Sequence, residues 1–563
     1  MGKGARAREL RTEDKTVAPE KYVKKKSGDR SGFWWAVVLI AVAVILAGVL
    51  VFNMLSNSGL FLRSGKAMST KDFSVDGAMM SYFVHSSYSD YIQYIESMLS
   101  GNYSAAALLG INTAQSLKNQ VRDKDSGQTW FEYFADMAKT QVERILVYCQ
   151  SAHDAGVSLD DDDRSAIDAN IQLLKLYAKQ SGYTLTNYLA RMYGTGVSEK
   201  DVRRAMELSA LASKYQTQLQ DGFKEASTDE KVNAFFDKNK NDYLTADYLL
   251  FKITAKKGSI TSTTTDEEKE KIEAEYKESK EKAEKRAAEL LEMKTADEFK
   301  DKIREYVIED NAEYRKQKYE TYLKSAEGET DEEKEAYANK KADEDVAALA
   351  DAQIDKLLVE GQKYNKTTEL GKWIFGDGED VEPAKVNDTH KEETKSDDDT
   401  SYAVSIYLLT RESSKDETLA RNISYLVLPA SGYSESDAKA ALEAFRSGST
   451  VDGEALVKLA EKYEKASGKG TEENVLKGTF GVDDVDNWLF DEERKAGDND
   501  LITYKYSDAT YYMLVYVDGL GDATWYVNCE NGMLDSELSD WYDAALTKCG
   551  VRTNMSVINR VSL

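Results

Sequence analysis

Cysteine and histidine are scarce in these 563 residues, with three of each. Cys149, Cys529 and Cys549 are too few for a disulfide-built scaffold or a four-thiolate zinc site, so stability has to come from packing. Two readings of Cys529 and Cys549 stay open, one bridge in an oxidising compartment or two buried free thiols. Among the histidines, His85, His153 and His390, His153 has no second nitrogen ligand four residues on. The chain also lacks GxSxG, HExxH, Walker A and Rossmann glycine patterns. Asp123, Asp125 and Gly127 imitate part of a calcium loop at the wrong spacing. No metal or cofactor is therefore expected. Excess basic charge is missing as well: 74 Lys and Arg stand against 100 Asp and Glu, a net charge of −26 that repels nucleic acid and disfavours lying flat on an anionic leaflet.

Long apolar runs are absent but for one, FWWAVVLIAVAVILAGVLVF at residues 33–52. Twenty uncharged residues at about 1.5 Å each cover the roughly 30 Å core of a bilayer, which predicts one transmembrane helix. A cleavable signal peptide is the alternative, against which the run exceeds the apolar length such peptides use. Residues 1–30 hold ten basic and five acidic side chains, leaving 64 basic against 95 acidic in the rest. Positive charge marks the cytoplasmic side, so residues 1–32 read as a cytoplasmic tail and the acidic bulk as an extracytoplasmic ectodomain.

Residues 53–242 show helical periodicity and predict an all-helical module. Its clearest helix begins at Trp130, with Phe131, Phe134, Ala138, Val142, Ile145, Cys149 and Ala152 on one face. Capping boxes are expected at Ser158 with Asp161, Ser198 with Asp201 and Ser227 with Glu230. The acidic run at residues 160–163 suits the positive end of a helix dipole better than it suits calcium. From residue 243 the period turns strand-like. Residues 265–361, rich in Glu, Lys and Ala, predict a solvated helical arm.

Four signposts then recur in one order. They are ADYLLFKI, TADEFKDKIREY, Trp373-Ile374-Phe375 and SYAVSIYLL in one copy, and NISYLVL, VDGEALVKLAEKY, Trp488-Leu489-Phe490 and TYYMLVYV in the other. Two copies of a β-α-α-β unit follow, the first carrying the charged arm as an insertion. Met533, Leu538, Trp541, Tyr542 and Ala545 predict one further helix in residues 523–563.

With these units in view, GYTLTNYLARMYGTGVSEKDVRRAMELSALASKY resembles the helical chaperone domain, and ISYLVLPASGYSESDAKAALEAF the opening of the isomerase domain, of the SurA, PrsA and PpiD group, the extracytoplasmic parvulin-type peptidyl-prolyl isomerases and foldases. The resemblance covers about residues 72–521. It implies an α+β multidomain fold with one amino-terminal transmembrane helix, a SurA-like helical module at 53–242, and two divergent parvulin-like domains at 243–411 and 421–522. It further implies a single-pass protein of the bacterial cell membrane whose partners are unfolded or newly exported polypeptides, cradled by the helical module, and the membrane itself through residues 33–52. Docking of residues 523–563 on the helical module is part of the same implication.

The family's two groove histidines fall on Tyr425 and Tyr512, with Tyr248 and Ala403 as the counterparts in the first copy. Phe490 matches the aromatic of the proline pocket and Gly497 the glycine after it. Isomerisation needs only a site that weakens amide resonance across about 18 to 20 kcal/mol. With the histidines replaced, the expectation is a chaperone with weak or lost isomerase activity. An active isomerase and a structural envelope scaffold are the alternatives.

Overall fold

The structure, a computed structural model, describes residues 59–99, 104–327, 330–376 and 381–563. Among them are eighteen α-helices and three antiparallel sheets, in two compact units: the described residues up to Asp221 together with Ser539–Leu563, and Gly222–Leu538.

The expected architecture is corrected at its amino-terminal end. Among the described residues no helix is long and apolar enough to cross a membrane. The longest helices bury one stripe and charge the other, and Gly77–Met98, with only Asp90 and Glu96 charged, is kept too polar by its Ser, Tyr and His side chains. Residues 33–52, which carried the expectation of a transmembrane helix, lie outside the described residues.

The first unit is built on the helices Gly77–Met98 and Trp130–Asp154. Their facing sides bury Phe83, Phe134, Tyr148 and Cys149 in one core. Thr129 and Glu132 cap the second helix reciprocally, and Gly156, at φ 76°, follows its end. The helices Asp161–Gln180, Leu185–Tyr193 and Glu199–Glu225 complete the helical part. At the first of these the cap is Asp160 with Asp163, not Ser158 with Asp161. An acidic run offers several registers, and in this one Lys214 Nζ reaches Asp163 at 2.7 Å.

The unit is not all-helical. Strands β1 (Lys66–Ser69) and β2 (Ser74–Asp76) pair antiparallel, and the strand Arg552–Thr553 joins β1 through Met68↔Thr553 and Ser69↔Arg552. Strands this short carry no readable period, and the third comes from the far end of the chain. The chain's end is held: Val557, Ile558 and Val561 enter the core, and Leu117 N donates to Leu563 O at 2.9 Å. On the helix Thr524–Cys549, Trp541 stacks on Tyr148 at 5.2 Å. Cys529, in the second unit, and Cys549 are both free thiols, not a bridge.

The second unit contains two four-stranded sheets. Strands β3 (Leu244–Lys256), β4 (Leu358–Lys363), β5 (Thr389–Lys395) and β6 (Ser401–Lys415) lie in the order β4-β3-β6-β5. Strands β7 (Leu419–Pro429), β8 (Gly468–Val475), β9 (Asn499–Tyr506) and β10 (Ala509–Ala523) lie in the order β8-β7-β10-β9. Each sheet thus has two strands more than a β-α-α-β unit. The added edge strands β4, β5, β8 and β9 are largely polar, so they show little apolar alternation.

Helices cover one face of the second sheet, and in the first sheet a helical layer covers one face while Phe236, Trp525 and Met533 pack on the other. In the second they are Glu435–Arg446 and Gly453–Ala460, through Ala438, Phe445 and Leu456. In the first they are Asp266–Leu291 and Ala296–Asp310, through Tyr276, Leu290, Phe299 and Ile303. Half of the expected solvated arm is therefore a core layer of its own unit. Only the pair Ala312–Ser325 and Asp331–Ile354 extends beyond that layer, and the longer helix buries only small side chains, Ala338, Ala342, Val346 and Ala350.

Candidate functional site: an aromatic sheet face

The second sheet's other face begins with alternation. On β7 the side chains of Ile423, Tyr425 and Val427 point one way, and on β10 so do Tyr511, Met513, Val515 and Val517. Tyr425 pairs with Val515, and Tyr512 pairs with Leu428. Tyr512 therefore points through the opposite face, into the helix-covered core beside Leu426, Leu428 and Leu514. Tyr425 and Phe490 share the first face; Tyr512 is not brought to them.

On that face Met513, Val515 and Ile502 form a buried floor, while Tyr425, Phe480, Trp488, Phe490, Tyr504 and Tyr511 stand half-buried around it. Trp488 belongs to the short helix Asp483–Leu489, and Phe490 directly follows it. Three devices hold these rings. Arg494 lies over Trp488 at 3.9 Å and Arg421 over Phe490 at 5.0 Å. Tyr504 and Tyr511 stack at 5.5 Å with planes 17° apart. Asp486 Oδ2 accepts from Gly478 N at 3.0 Å, fixing the loop that carries Phe480. Arg421 is buried, donates to the carbonyls of Leu489 and Leu419, and has its pKa lowered by burial.

The polar handle of the face is Tyr425, whose hydroxyl donates to Glu472 Oε1 at 2.9 Å. Burial first, and the carboxylate second, push that phenol up to about 12. It is a neutral hydrogen-bond donor at physiological pH, not an acid-base group.

In the first sheet the corresponding face is buried instead, Tyr248 and Tyr407 lying in one core with Phe236, Trp525 and Met533 from helices. Tyr248 donates to Gln362 Oε1 at 3.2 Å and meets Tyr407 ring to ring at 5.4 Å. Tyr407 donates to Glu392 Oε2 at 2.9 Å, and Leu370 N donates to Glu392 Oε1 at 3.1 Å. His390 stacks on Trp373 at 5.0 Å, and burial lowers its pKa. Ala403 pairs with Thr254, six residues along β3 from Tyr248, so Tyr407 is the neighbour of Tyr248 on this face.

Sequence reasoning missed Glu472, Phe480, Tyr504 and Tyr511. The signal for the last was present, since Tyr511, Met513, Val515 and Val517 alternate along TYYMLVYV. Among the described residues the one group with metal-ligand spacing is Asp72, His153 and Asp154, in the first unit. There Gln150 Nε2 donates to Asp72 at 2.8 Å and to Asp154 at 3.1 Å, bridging the two carboxylates, and Lys71 and Lys548 each lie 3.8 Å from one of them.

Among the described residues this face brings together no Ser, Cys or Lys with an adjacent base. It can take apolar and aromatic side chains against its rings. No protein-family model matches the chain, and no curated protein matches it.

Proposed function

We propose that the chain is an extracytoplasmic chaperone of the SurA, PrsA and PpiD type that holds unfolded, newly exported polypeptides, with prolyl isomerisation weak or lost. The observation that carries this reading is the half-buried aromatic face of the second sheet, set over a packed floor. A monomeric domain seldom leaves six large rings in one patch without a partner for them. Aromatic rings accept many apolar side chains, which suits a holder of varied clients.

Weak catalysis rests on the same face. It has Tyr425 where the resemblance places a histidine, and that phenol is engaged by Glu472. The helical module of the first unit adds surface to this holding role but no catalytic group.

The test uses the purified full chain and a chemically unfolded client. Stoichiometric chain should suppress aggregation, and the double variant Tyr504→Ala, Tyr511→Ala should lose at least half of that suppression. Proline-limited refolding should keep its uncatalysed time of tens to hundreds of seconds. Acceleration that disappears in Tyr425→Phe would replace this reading with an isomerase. Absence of both activities would favour an envelope scaffold.

A further inference from the structure

In a chain with 100 acidic residues, residues 169–198 contain no Asp or Glu, yet they include Lys175, Lys179 and Arg191. The structure places much of this stretch on one surface of the first unit. The helix Asp161–Gln180 buries Ile167, Ile171 and Ala178 on one side. On its opposite side Leu173, Leu176 and Tyr177, spaced i, i+3 and i+4, are exposed. Tyr183 and Met192, on the turn and helix that follow, are exposed too. Tyr183 N donates to Ala178 O at 2.9 Å, and Arg191 Nη1 donates to the Tyr183 hydroxyl at 2.7 Å, so turn and helix are tied together. Beside them Arg63 anchors the short helix Leu60–Arg63 to Gly196 O at 2.8 Å, with Leu60 55% exposed.

Within residues 169–198 the charges are of one sign, and the acids that flank the stretch are paired: Asp168 meets Arg203 at 2.6 Å. Glu199 meets Lys175 at 3.0 Å. Among the described residues Lys179 and Arg191 meet no carboxylate, and both are exposed. Charges beyond about 8 Å are screened at physiological salt, so the net charge of the whole chain does not set the potential here. Exposed Leu, Tyr and Met flanked by unpaired basic side chains is the composition of a surface that seats its apolar groups at the headgroup boundary and its cations on lipid phosphates.

We propose that this surface, from Leu173 to Met192, docks on an anionic lipid bilayer. The charge pattern selects lipid over an unfolded client, because client binding needs no exclusion of acid. Docking would hold the first unit against the membrane.

The experiment places a cysteine at an exposed site, Leu176→Cys in a Cys549→Ser background, in the full chain reconstituted into vesicles. Modification by a membrane-impermeant maleimide is compared between pure phosphatidylcholine and a phosphatidylglycerol mixture. With about fivefold per basic side chain near an anionic surface, the reaction should be at least about tenfold slower in the mixture. High salt, or Lys179→Glu with Arg191→Glu, should restore the rate. Equal rates in both vesicles would overturn the proposal. So would protection by an unfolded client that does not depend on lipid composition, which would make this a client surface.

Discussion

Ile558 lies five residues from the end of the sequence, where a loose tail would be indifferent to its side chain. In the structure it is 0% exposed and packs with Val557, Val561 and Met68 in the core of the first unit. The residues around it are pinned by Asn554 N donating to Ala67 O at 2.7 Å and by the pairing of Arg552–Thr553 with β1. The site therefore cannot collapse freely when three carbons are removed. Ile558→Ala should cost about 2 to 4 kcal/mol, the lost transfer energy plus the cavity left behind. For a unit of this size that lowers its melting temperature by about 5 to 15 °C. Two units predict two transitions, so calorimetry should be paired with hydrogen exchange to assign the one that moves. Met555→Ala, at a site 45% exposed in the same segment, is the control and should stay within about 0.5 kcal/mol. A shift below about 1 °C for Ile558→Ala would refute the docked carboxyl terminus.

Two further outcomes follow from titrating groups. Burial alone would raise the pKa of Asp201, but hydrogen bonds from Arg63 and Ser198 outweigh it and leave the folded value below the usual one. A depressed carboxylate stabilises fully above its unfolded pKa of about 3.9, and that stability is lost as pH falls through the lower folded value. Denaturant midpoints of the first unit should therefore drop below about pH 4, while Asp201→Asn should start lower by about 1 to 3 kcal/mol and show a flatter acid limb; an identical acid limb in the variant would remove Asp201 as its source. Burial pushes the thiols of Cys149 and Cys529 up to about 12 and about 11, so a thiol reagent near pH 8 should meet each with at least about a hundredfold less thiolate than a free cysteine and label both only after denaturation. Fast labelling of Cys149 in the folded chain would contradict its burial.

Whatever depends on neighbours in sequence was legible before any fold was known. The face of Trp130–Asp154 followed from apolar spacing, half of the box at Ser198, where Asp201 accepts from the Ser198 backbone N, from short-range hydrogen bonding, and strands β3, β6, β7 and β10 from apolar and aromatic runs. These signals repeat within one or two turns of chain, so a local period carries them. Whatever depends on which distant segment arrives was decided only in three dimensions. Polar edge strands such as β4 and β8 show themselves through pairing, not through side chains. The helices Asp266–Leu291 and Ala296–Asp310 look solvated because a few widely spaced residues, Tyr276, Phe299 and Ile303 among them, suffice to seat them on a sheet. The candidate site shows the same division. Phe490 and Tyr425 were identifiable as residues, but one step of pleat separates a groove from a core. Only the register Tyr425↔Val515 and Tyr512↔Leu428 shows that the two tyrosines look through opposite faces of one sheet.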